Sequence, residues 1–171
     1  MGTVKYLLAS HFNKFGELSN FKNTYLNSSD YDRENLLKEN DLILAGKGLR
    51  FFAWAYQKKE GDCIASSLFY VIRPHKMLLG EYLAFYLNRT PVQHQLKLLA
   101  SGAATPSLAK KELQNLSIEI PSLKAQKEMV TFSRLMQKEQ QLYEQLIRRK
   151  KQIQNELLNQ KFKQLKKLSH V

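Results

Sequence analysis

The chain has a single cysteine, Cys63, among 171 residues, so no intramolecular disulfide can form and a reducing compartment is the simpler setting. No apolar run approaches the length of a membrane span. The opening residues, Met1-Gly2-Thr3-Val4-Lys5-Tyr6-Leu7-Leu8, are too short an apolar stretch, and too polar downstream, for a secretory leader. The expected location is therefore cytoplasmic. The four histidines, His11, His75, His94 and His170, are isolated, with neither a cysteine nor a second histidine at ligand spacing, which argues against a zinc site. A glycine-rich cofactor loop is missing. Gly46-Lys47-Gly48 lacks the first glycine, the hydroxyl residue after lysine and the following helix that a phosphate loop requires. The acidic residues are dispersed and mark no nuclease metal site. No catalytic residue, metal or cofactor is expected, and the chain reads as a binding component.

The most extended absence lies at the C-terminus, where Ser122 to Val171 contain neither glycine nor proline. The segment follows a short β-like run, Leu116-Ser117-Ile118-Glu119-Ile120, closed by Pro121. Nothing in it breaks a helix, and a helix of about 45 residues would be roughly 65–70 Å long. Phe132, Leu135, Leu142, Leu146, Ile153 and Leu157 recur at spacings that keep them on one side with a heptad-like period, while the other faces are mostly Gln, Lys, Arg and Glu. Glu139 and Arg149 interrupt the seam, and after Leu157 it drifts to Leu158, Phe162, Leu165 and Leu168. Such interruptions suit a specific pairing better than a generic zipper. The competing reading folds the helix back on its own domain. Residues 1–121 form the expected globular domain and 122–168 the expected long helix.

Charge is lopsided. The net charge is +12; residues 1–121 carry 15 Lys and Arg against 11 Asp and Glu, and residues 122–171 carry 12 against 4. A basic surface of this size implies a polyanionic partner, most often nucleic acid. The narrow seam, without Trp and diluted by Gln and Asn, argues against an interfacial membrane helix. Of the 18 aromatic residues, 15 precede Pro121, so the packed core belongs there.

Within 1–121 the pattern is α+β: short mixed strands with short helices. The first 40 residues read as irregular strands and loops, with turns at Asn13-Lys14-Phe15-Gly16 and Asn27-Ser28-Ser29-Asp30. Leu42 to Ala45 and Phe51 to Tyr56 form a hairpin about Gly46-Lys47-Gly48. Cys63 to Ile72 reads as one strand, ended by Arg73-Pro74. Leu79 to Leu87 is helical, and Thr90 is the expected N-cap of a second helix, with Pro91 at its first position and Gln93 closing a capping box. Ser107 is expected to cap a short turn through Lys110 and Lys111, and the Leu116 run to return to the sheet.

Basic residues at strand-end loops are the candidate nucleic-acid contacts. Lys47 and Arg50 flank the hairpin turn, Lys58 and Lys59 the next, and Arg73 and Lys76 bracket Pro74; arginine can pair bidentately with guanine and both cations can meet phosphates. Ser101, Gly102, Thr105 and Ser107 form a small-residue loop that lets backbone N–H groups approach phosphates. The alternatives are ordinary solvated charges and a plain interhelical connection.

In order, Leu36-Leu37-Lys38-Glu39-Asn40-Asp41-Leu42-Ile43-Leu44-Ala45-Gly46-Lys47-Gly48, then Glu81-Tyr82-Leu83-Ala84-Phe85-Tyr86-Leu87-Asn88, then Ser101-Gly102, then Leu113 to Lys127, with its strand-Pro-x-x-x-x-Gln-Lys passage into a long helix, resemble the specificity subunit of type I restriction-modification systems. Asn40 departs from the pattern, standing where the family often has glycine. The resemblance implies a target recognition domain that reads one half of a split double-stranded DNA target. It also implies a long coiled-coil helix acting as spacer, and partner methyltransferase (modification) and restriction-translocase subunits. Full-length members carry two recognition domains and two helices; this chain has one of each, so a homodimer paired through the tail is expected. The alternative function is a non-catalytic scaffold whose basic rod binds RNA or protein without sequence preference.

Overall fold

A computed structural model describes residues 4–13, 16–19, 24–27, 29–102 and 104–168. Lys14 and Phe15 of the first expected turn, Ser28 of the second, Ala103 and His170 lie outside the described residues, as does the side chain of Leu168. The chain divides into two compact units, Met1–Val130 and Thr131–Val171.

The first unit is built on two three-stranded sheets. One has the order β2-β1-β5, with β1 (Val4–Leu7) antiparallel to β2 (Tyr25–Leu26) and parallel to β5 (Cys63–Ala65). The other has the order β4-β3-β6, all antiparallel, with β3 (Leu42–Ala45) central between β4 (Ala53–Ala55) and β6 (Phe69–Ile72). All four residues of β3 are buried, because both faces of its sheet are covered. Leu42 and Leu44 face a core completed by Tyr82, Leu83, Tyr86 and Leu87 of α1 (Gly80–Asn88) and Val92 and Leu96 of α2 (Thr90–Leu99). Ile43 and Ala45 face a second core with Leu7, Phe12, Phe52, Cys63 and Phe69. An uninterrupted apolar run is what a strand with two covered faces requires.

Four local expectations are corrected. The Cys63–Ile72 run is two strands in two different sheets, because the chain turns at Ser66: its N–H bonds Leu7 O at 3.0 Å, and the Phe69 N–H returns to Ser66 O at 3.0 Å. Helix α2 is capped by Arg89 without a side-chain bond, and Thr90 is already helical. Gln93 is occupied elsewhere, its Nε2 donating to Phe51 O and Leu87 O at 2.6 and 2.7 Å. Helix α3 (Lys110–Gln114) takes Ala109, not Ser107, as its N-cap. The Leu116–Ile120 run joins neither sheet; Leu116 is buried against the helical core, and Tyr82 Oη donates to Glu119 O at 2.7 Å.

Helix α4 spans Leu123–Leu168, 46 residues or about 69 Å. Its first turns belong to the first unit. Val130 joins the helical core, and Gln126, fully buried, accepts the Leu79 N–H at 2.8 Å while Nε2 donates to Met77 O and Pro121 O, both at 2.9 Å. Asn40 completes the start of α1. Its φ of 72° places it in the left-handed region, which asparagine tolerates better than most side chains, and its Oδ1 accepts the Gly80 N–H at 2.6 Å. The asparagine found where the resemblance leads one to expect glycine is thereby explained by backbone conformation.

Candidate nucleic-acid interface

Strand register sorts the candidate cations into two groups. β3 pairs Leu42 with Ala55 and Ile72 at one end, and Ala45 with Phe69 at the other. Lys58, Lys59, Arg73 and Lys76 follow the Leu42 end; Lys47 and Arg50 follow the Ala45 end. Three strand residues at about 3.3 Å each separate the ends by about 10 Å.

At the Ala45 end the structure joins the two loops that the sequence proposes separately. Backbone bridges link Lys47 to Ser107 and Ser107 to Ser101. The Gly48 N–H donates to Pro106 O at 2.8 Å, the Leu108 N–H to Gly46 O at 2.9 Å, and Ser101 and Ser107 exchange N–H···O bonds of 2.8 and 3.0 Å. Tyr70 pins this junction from below. Its ring occupies the space a Cβ on Gly46 would need, 2.5 Å from the nearest ring carbon, and its hydroxyl donates to Leu108 O at 2.6 Å. Lys47, Ser101, Gly102 and Thr105 are exposed on this ridge, with Ser107 half-buried beneath. Gly102 has φ +101°, and a Cβ there would stand 3.0 Å from Thr105 O, so both conformation and space call for glycine.

The two arginines are partly committed inside the unit. Arg50 Nη1 donates to Asn13 O at 2.8 Å, and its guanidinium lies 5.5 Å from the Phe52 ring centre. Arg73 binds the fully buried Asp41 through Nε and Nη2 at 2.8 and 2.9 Å, and the carboxylate also accepts the Lys38 N–H. That hydrogen bonding, then the charge of Asp41, raises the Arg73 pKa. Lys58 and Lys59 lie on a 3-10 turn where the Lys58 N–H donates to Glu39 Oε2, and Lys76 is exposed in the turn before α1.

Sequence reading passed over Lys110 and Lys111, exposed within four residues of Ser107, having assigned them only to a capped turn. It also passed over Asn88, whose amide exchanges bonds of 2.9 and 2.7 Å with the N–H and carbonyl of Ala53 and so satisfies the free edge of β4. On α4, Met136, Tyr143 and Ile147 are each at least half exposed, one position after Leu135, Leu142 and Leu146, so the apolar stripe is broader than a one-residue seam. Doubling at i and i+1 was the available signal.

Among the described residues there is no group of three or more His, Cys, Asp or Glu residues that could hold a metal ion, and no helix is long and apolar enough to cross a membrane. Cys63 is buried, which pushes its thiol up to about 11. The model of the type I restriction modification DNA specificity domain matches residues 2–167. The chain belongs to this family. As a type I specificity subunit it recognises a DNA target and associates with other subunits of a restriction-modification complex; its part is recognition and not catalysis. A comparison with curated proteins gives no match.

Proposed function

We propose that this specificity subunit reads one half-site of a split DNA target with residues 1–121, and pairs with a second copy through residues 122–168. Lys47, Ser101, Gly102, Thr105 and Ser107 supply the main contact ridge. Arg50 contributes from its anchored position, and Lys58, Lys59, Arg73 and Lys76 meet backbone phosphates flanking it. The paired helices hold two half-sites at a fixed separation, and the cytoplasmic complex presents that DNA to methyltransferase and restriction-translocase subunits.

The observation that carries this reading is the exposure of the α4 seam: Phe132, Leu135, Leu142, Leu146, Ile153 and Leu157 are each more than half exposed. Fully burying such side chains is worth about 1.5–3 kcal/mol each, so a second helix has a large apolar surface to cover. A symmetric homodimer implies an interrupted palindrome. Random-sequence selection with the full chain and its partner subunits tests this: an inverted repeat with one fixed gap is expected. A single ungapped site, or no enrichment, defeats the half-site reading.

A further inference from the structure

The hairpin tip between β3 and β4 joins a tightly held backbone to an unusually bare apolar side chain. Gly46 is bonded to Leu68 O and Leu108 N, Gly48 to Pro106 O, and Lys47 is bridged to Ser107. On the far side, Arg50 is tied to Asn13 O and Phe52 returns to Ala45 through the Ala45 N–H at 2.9 Å. Between these anchors stands Leu49, 79% exposed, the most exposed large apolar side chain among the described residues. Gly48 before it has φ +104° with open space around it, so the chain turns sharply and presents Leu49 outward.

We propose that Leu49 is a specificity-determining residue that packs against the 5-methyl group of a thymine in the major groove. The proposal rests on the reading of the Lys47 ridge as the DNA-facing surface. Lys47 and Arg50 flank Leu49 in sequence, and cations that engage phosphates would bring the tip to a groove edge. Thymine is the base that presents an apolar group there, and aliphatic contact with its methyl is an established mode of base discrimination. The held backbone lowers the ordering cost of such a contact, because only the leucine side chain has rotamers left to lose.

The test uses the full chain, its Leu49→Ala and Leu49→Met variants and Lys47→Glu. At 79% exposure, changing Leu49 leaves the fold intact. Random-sequence selection defines the motif, and each thymine of the selected duplex is then replaced in turn by deoxyuridine, which removes only the methyl. For the wild type, one thymine per half-site is expected to lose about fourfold in affinity on replacement, the worth of one buried methyl-sized group. Leu49→Ala should abolish that sensitivity and the preference for thymine there, with an unchanged salt dependence, and Leu49→Met should retain both. The proposal is overturned if Leu49→Ala keeps the thymine preference, if the position it relaxes is insensitive to deoxyuridine, or if the motif has no such thymine. Lys47→Glu separates the levels. If it leaves affinity and salt dependence unchanged, the ridge itself is wrong; if it weakens binding while Leu49→Ala changes no preference, only the leucine contact fails.

Discussion

The core leucines of the first unit and the seam leucines of the helix meet opposite fates. In the first, Leu42, Leu44, Leu87, Leu96 and Leu108 are at most 1% exposed; along α4, Leu135, Leu142, Leu146 and Leu157 lie between 52% and 64%. The first unit has sheets and helices that cover one another, so each apolar face finds another within the same unit. The helix has one apolar side and no second element of its own unit to cover it. The first unit buries its core leucines within itself, whereas the helix leaves an apolar stripe exposed, the surface that the proposed pairing would cover. Polar groups divide the same way. Buried Asp41 and Gln126 are hydrogen-bonded within the first unit, while most Gln, Lys and Glu residues of α4 are exposed.

The sharpest way to break this contrast is to change only the helix. Leu142→Glu combined with Leu146→Glu should convert the proposed dimer to a monomer in sedimentation equilibrium, leaving the near-ultraviolet signal of Trp54 and its neighbours unchanged. A dimer that survives would show that the seam is not what pairs. Within the first unit, Arg73→Ala strands the Asp41 carboxylate. Loss of a buried pair costs about 3–5 kcal/mol, and the half-exposed guanidinium reduces this to about 2–3 kcal/mol, read from urea unfolding. The phosphate contact proposed for Arg73 adds a loss of DNA affinity per folded molecule; unchanged affinity would leave Arg73 to the fold alone. Gln126→Ala leaves the Leu79 N–H and two carbonyls without their partner and should cost about 2 kcal/mol. A cost near zero would mean that the first turns of α4 do not belong to the first unit.

The smallest effect is pH-dependent. His11 is buried, its Nδ1 accepts the Leu8 N–H at 3.1 Å, and burial lowers its pKa below the usual 6.5. The folded state therefore binds the proton less readily than the unfolded chain. Its contribution is complete above about pH 6.5 and is lost as pH falls from there toward the depressed folded value. Thermal melts at pH 7.5 and 5.5 should show a loss on acidification that His11→Asn reduces. A wild-type loss no greater than the variant's would show that His11 stays neutral in neither state preferentially.

The sequence was most legible where one periodicity governs. The 46-residue helix, the β3–β4 hairpin and helix α1 follow from runs whose spacing or length allows one reading. It was least legible where partners distant in the chain decide. Cys63–Ile72 is apolar throughout, and only pairing with β1 on one side and β3 on the other divides it between two sheets. The basic loop residues looked equivalent because charge and loop position carry no register; strand pairing then separates Lys47 and Arg50 from Lys58, Lys59, Arg73 and Lys76.

By itself the sequence determined the α+β body, the long helix with an apolar stripe, the family, and the loops from which contacts could come, because these depend on composition, local period and motif order. Only the tertiary structure decided that Gly46-Lys47-Gly48 and Ser101–Ser107 make one ridge pinned by Tyr70, that Arg73 is bound to Asp41, and that Gln126 fastens the start of α4 to the chain entering α1. Each of these joins residues more than 30 positions apart, and a bond of that kind is specified by how the sheets and helices pack, which no local pattern encodes.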